Sequence, residues 1–137
     1  MNLSRINLRG VRAFTLPELL LTAAILAYSL SVILVTYTKT IVLNESSRNL
    51  TTAVSHADTV MENIRNTTFG SIAANISGGT WNWNSAAITA NGLTALKTEA
   101  IAVTSTGSNP LDVTVTITWQ DLNGRNRSTA LKTTVSG

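Results

Sequence analysis

The feature that most constrains this chain is an uncharged run of twenty residues, Leu19 to Thr38, reading LLLTAAILAYSLSVILVTYT. About 20 apolar residues in a helix cross the hydrocarbon core of a bilayer. Neither Gly nor Pro interrupts the run, so nothing in it opposes an unbroken helix. Cleavable secretory signals use a shorter apolar core, roughly 7–15 residues, followed by a small-x-small site. Here the run ends in Val35-Thr36-Tyr37-Thr38-Lys39, and Ala24 and Ala27 lie inside it at the wrong spacing. The pattern predicts a retained membrane anchor.

Charge predicts its orientation. The formal net charge is +3, and Arg5, Arg9 and Arg12 account for all of it, because Lys and Arg balance Asp and Glu from Ala13 onward. The positive-inside rule then places the N-terminus in the cytoplasm and everything after Lys39 across the membrane. The pI near 9.8 belongs to a short basic leader. A neutral body offers no stripe to neutralise phosphates, so no nucleic-acid partner is expected. The absence of Cys excludes a disulfide scaffold, Cys-based zinc or iron–sulfur sites and a thiol nucleophile. At 137 residues the chain accommodates one modest domain beyond the anchor.

The junction before the span reads Gly10-Val11-Arg12-Ala13-Phe14-Thr15-Leu16-Pro17-Glu18. Two readings of Glu18 stand side by side. A carboxylate placed at membrane depth costs on the order of 2.5–3.5 kcal/mol by insertion scales and is a functional candidate by default. Thr15-x-x-Glu18 also fits a capping box, with Pro17 in the first turn and the acid favoured by the helix dipole.

A basic leader, a small residue, then Phe-Thr-Leu-Pro-Glu-Leu-Leu opening a long apolar helix resembles the class III signal of type IV pilins and of the pseudopilins of type II secretion. The resemblance implies that a prepilin peptidase cuts after Ala13 and methylates the new amine of Phe14. It implies that Glu18, the fifth mature residue, acts in assembly by pairing with the terminal amine of a neighbouring subunit. Ala13 departs from the usual Gly before the cut. The implied partners are the peptidase, other pilin or pseudopilin subunits and the bacterial inner membrane, with the head periplasmic or at the cell surface. No cofactor, metal or small-molecule substrate is implied.

Beyond Lys39, Leu50, Val54, Ala57, Met61 and Ile64 recur at spacings of four, three, four and three, one face of a helix. The spacing predicts continuation to about Thr68, with Gly70 as the stop and a helix roughly 80 Å long. These five residues are the predicted packing face against a head, and His56 is expected to be solvated. The expected organisation is therefore leader 1–13, membrane or filament-core helix 14–38, amphipathic continuation 39–69 and β-rich head 70–137.

From Gly70 the period is read as two. Val113, Val115, Ile117 and Trp119 alternate with threonines, a half-buried strand. Asp121-Leu122-Asn123-Gly124 signals a turn, and Arg125 to Val135 a return strand with Leu131 and Val135 inward. Lys97 to Ser105 reads as a further strand, and Thr80 to Asn84 as a short one with Trp81 and Trp83 in the core. The whole predicts an α+β fold, a long helix on a small antiparallel meander. The closing hairpin also resembles that of minor pilins and minor pseudopilins of the PilV or I-type kind. Glu99, Asp112, Asp121 and Asn123 carry oxygen ligands, but the EF-hand spacing is absent and the turn reading of Asp121 is simpler. No Ser/His/acid set or phosphate-cradling loop appears, so enzymatic activity is not expected. Two functional expectations follow: a filament subunit, or a monomeric, membrane-anchored, extracytoplasmic binding module.

Overall fold

The computed structural model describes residues 14–137; the leader and Ala13 lie outside them. The elements are α1 (Leu16–Arg65), α2 (Phe69–Ser77), β1 (Trp83–Asn84), α3 (Ser85–Ala90), β2 (Ala100–Gly107), β3 (Leu111–Gln120) and β4 (Asn126–Val135). The fold is α+β: a long N-terminal helix and a four-stranded antiparallel sheet in the order β1-β2-β3-β4. The chain divides into two compact units between Thr40 and Ile41.

The first unit is the apolar part of α1. Every residue from Phe14 to Thr40 is exposed, and the helix is long and apolar enough to cross a membrane. Its Ser and Thr hydroxyls from Thr22 to Thr40 are satisfied internally. The hydroxyls of Thr22, Ser29, Ser31 and Thr36 donate to the carbonyls of Glu18, Ile25, Ala27 and Val32 at 2.7–2.9 Å. Such back-bonding removes the need for water, as a bilayer interior requires.

The second unit packs the remainder of α1 and the two short helices on the sheet. β2 and β3 pair over Ala100↔Thr118 to Gly107↔Leu111, and β3 and β4 over Leu111↔Val135 to Gln120↔Asn126. Because side chains alternate across a strand, this register aligns Ile101 and Val103 with Val115 and Ile117 on one face, and all four are buried. Ala57, Val60, Ile64, Ile72 and Ile88 join them in the core. Trp81, Trp83 and Trp119 are buried at its margins. Each large aliphatic side chain buried there contributes about 1.5–3 kcal/mol relative to exposure.

The segment after α1 departs from the sequence reading. α1 ends at Arg65, and Gly70 is the second residue of α2 instead of a terminator. The helical signal was Phe69, Ile72 and Ile76, spaced three and four, with Ile72 and Ile76 buried. Gly78 and Gly79 end this helix, Gly79 taking φ +71°. Asn84, expected to end a five-residue strand, instead caps α3 by accepting the Ala87 N–H at 2.9 Å. Only Trp83 and Asn84 remain as strand, and β2 starts at Ala100 where Lys97 was expected.

The packing face of α1 is also rotated from the predicted stripe. Ala57, Met61 and Ile64 are buried, but Leu50 is 45% exposed and Val54 only half-buried. The buried face runs through Ala53, His56, Ala57, Val60, Met61 and Ile64. Its N-terminal continuation is mostly polar, with Glu45, Ser46 and Asn49 half-buried alongside Val42. Apolar spacing alone points to Leu50 and Val54, whereas the face that α1 turns inward is partly polar there.

Candidate functional site

Three places concentrate the chemistry, and the first is the N-terminal end of α1. The Thr15 carbonyl accepts from the Glu18 and Leu19 N–H groups at 3.0 and 3.1 Å, closing the first turn. Glu18 sits in that turn, where the positive end of the helix dipole favours an anion. Its carboxylate makes no hydrogen bond or ion pair among the described residues. Phe14 is 71% exposed. Both residues are thus open to contact, whereas Ala13 lies outside the described residues.

The second place is a buried pair that sequence reasoning separated. His56, expected in solvent, is 4% exposed, and Glu99 is 1% exposed. His56 Nδ1 lies 2.8 Å from Glu99 Oε1. Glu99 Oε2 accepts the Leu96 N–H at 2.7 Å, and the Glu99 carbonyl accepts the Ser85 hydroxyl at 2.9 Å. One carboxylate thereby ties α1 to the loop before β2, while the same residue's carbonyl holds the start of α3. Both carboxylate oxygens are engaged, so Glu99 is not available as the calcium ligand considered from sequence. An available signal was His56 three residues after Ala53 and four before Val60, on the face those residues bury.

The third place is the β3–β4 turn. Asp121 Oδ1 accepts the N–H groups of Asn123 and Arg125, both at 2.9 Å. Its Oδ2 accepts Nε of Arg125 at 2.9 Å and of Arg127 at 3.2 Å. Burial would raise this carboxyl's pKa, but the Arg125 N–H, both guanidinium hydrogen bonds and the Arg125 charge together hold it below the ordinary aspartate value. Gly124 completes the turn at φ +74°, donating its N–H to the Asp121 carbonyl at 2.9 Å. Asp121 is thus a turn organiser, and Arg125 and Arg127 are its partners.

Among the described residues, no three His, Asp or Glu side chains gather in a way that could hold a metal ion. Both polar clusters spend their hydrogen bonds on the fold itself. Compared with protein-family models, curated proteins and solved structures, the chain finds no match.

Proposed function

We propose that this chain is a subunit of a type IV pilus or type II secretion pseudopilus, anchored in the inner membrane with its head on the periplasmic side. In this reading a prepilin peptidase removes residues 1–13 and methylates Phe14, and subunits assemble through the apolar half of α1. The observation that carries it is the state of that half: an apolar stretch exposed from Phe14 to Thr40, with a first-turn carboxylate that none of the described residues engages. A lone anchor uses the apolar surface, and uses the acid only for its own first turn; a filament subunit uses both.

Glu18 lies four residues after Phe14, about 6 Å along the axis. An ammonium created at Phe14 and a carboxylate at Glu18 are each costly in an apolar environment, and matching them across neighbouring subunits removes most of that cost. An axial displacement between neighbours brings one subunit's acid beside the next one's amine, which sets register as well as affinity.

The test is Glu18→Ala in a cell carrying the assembly machinery, with filaments sheared or cross-linked and the subunit quantified. The variant is expected to stay in the membrane, lose its leader and be missing from filaments. Incorporation equal to the native subunit would contradict the assembly role and leave Glu18 as a helix cap on a membrane-anchored module.

A further inference from the structure

The two ends of the sheet meet different parts of the chain. At one end Leu111 pairs with Val135, and Gly137 lies against the Phe69 side chain at the start of α2. At the other end the β3–β4 turn sits beside α1, where Asp121, Leu122 and Arg125 line one depression with Val42, Glu45 and Asn49. The ten residues of β3 separate the two ends, about 33 Å of strand.

Leu122 occupies the tip of that turn and is 59% exposed. Among the described residues it is the only exposed large apolar side chain outside α1. The others in the second unit are Ile41, Leu43 and Leu50, all on the stretch of α1 that flanks the turn. The head therefore gathers its exposed large apolar side chains at one end. The turn itself is fixed, because the Asp121 carboxylate accepts from the Asn123 and Arg125 N–H groups and from Nε of Arg125 and Arg127. That pairing occupies both arginines, so apolar surface and not charge selects what the turn meets. Burying an exposed leucine contributes about 1.5–3 kcal/mol.

The stretch of α1 beside the turn begins where the uncharged run ends. Val42 lies four residues beyond Thr38 and Asn49 eleven beyond it, at most about 6 and 17 Å of helix. The polar layer outside the hydrocarbon core of a bilayer is roughly 5–8 Å deep on each side. We infer that the β3–β4 turn is a membrane-contact element, with Leu122 inserting among the lipid head groups of the bilayer that α1 crosses. A bilayer held this close by the same helix meets the turn at high effective concentration, which favours it over a free partner. The inference rests on the membrane-anchored reading of α1 and not on filament assembly.

The native chain has no Cys, so Asn123→Cys, Leu26→Cys and Ser108→Cys each accept a single fluorophore, beside Leu122, within the span and at the far end of the sheet. Each full chain is reconstituted at low density in phosphatidylcholine vesicles whose lipids carry a nitroxide either at the head group or at mid-chain. The label at position 123 is expected to be quenched by the head-group nitroxide, the label at 26 by the mid-chain nitroxide, and the label at 108 by neither. Adding Leu122→Ser to Asn123→Cys should reduce the quenching at 123 several-fold and leave the tryptophan spectrum in place, since Trp119 is buried and Leu122 is not. Quenching at 26 without quenching at 123 would overturn the proposal and leave the anchor standing. No quenching at 26 would overturn the anchored reading and the proposal with it. Quenching at 123 that survives Leu122→Ser, or that is matched at 108, would also overturn the proposal. Fluorescence at 123 that changes with protein density in vesicles free of nitroxide would assign the turn to a second copy instead.

Discussion

The two stretches of α1 solve different problems with the same backbone. From Phe14 to Thr40 the helix is apolar on all sides and buries none of its side chains. From Ile41 to Arg65 it is polar on most sides and buries one face, from Ala53 to Ile64. A helix that is apolar all round needs an apolar medium or other helices, and one with a stripe needs only a core. The contrast teaches that the fold of the head is specified after Thr40, and that the segment before it finds no burial among the described residues.

The sharpest way to break this comparison is to charge the first stretch. Leu26→Arg combined with Leu30→Arg should cost on the order of 6 kcal/mol of membrane insertion, releasing the protein from the membrane fraction. The tryptophan fluorescence should be unchanged, since all three tryptophans, Trp81, Trp83 and Trp119, lie in the head. A shifted tryptophan spectrum would show that the head depends on the apolar stretch after all.

Next in size is the buried pair. His56→Leu leaves the Glu99 carboxylate without its ring partner and should cost about 3–5 kcal/mol. Adding Glu99→Leu should recover much of that loss, because an apolar pair of similar volume removes the stranded polar group. Denaturant titration of the single and double variants measures this, and an equally unstable double variant would point to lost packing as the cause.

Much of the fold was legible because its periods were clean. The alternation from Val113 to Trp119 and the Asp121–Gly124 turn place β3 within two residues and β4 within one of where they occur. The short helices were harder to read. Six or nine residues offer only one or two turns of periodicity, and the apolar signal of Phe69, Ile72 and Ile76 was overridden by Gly70. The His56–Glu99 pair was hidden for another reason: its members are 43 positions apart, and only the tertiary fold turns a polar residue on a helix into a buried one. At the N-terminal junction the order of residues is legible, but no described residue engages the Glu18 carboxylate, and in the proposed reading its partner belongs to a neighbouring subunit.

Smaller effects sharpen the boundary between the two stretches. Ile64→Ala, fully buried, should cost about 2–5 kcal/mol, measured by the same denaturant titration. Asp121→Asn should lower the melting temperature less and change its pH dependence. The native carboxyl titrates below the ordinary aspartate value of about 3.9, so its contribution is present above that pH and is lost as pH falls through the folded pKa. Thermal melts between pH 6 and 3 should therefore converge for native protein and variant at the acid end; parallel curves would contradict the linkage. Leu50→Ala should fall within about 0.5 kcal/mol of native, as an exposed position does.

The central claim is that the N-terminal junction is processed for assembly, and intact mass tests it most directly. The protein is extracted from membranes of cells made with and without a prepilin peptidase and weighed by mass spectrometry. The account predicts loss of residues 1–13 and gain of one methyl group at Phe14 in the presence of the peptidase alone. An unprocessed full-length chain in both cells would contradict it, and would leave a membrane-anchored α+β module whose Glu18 serves only its own helix.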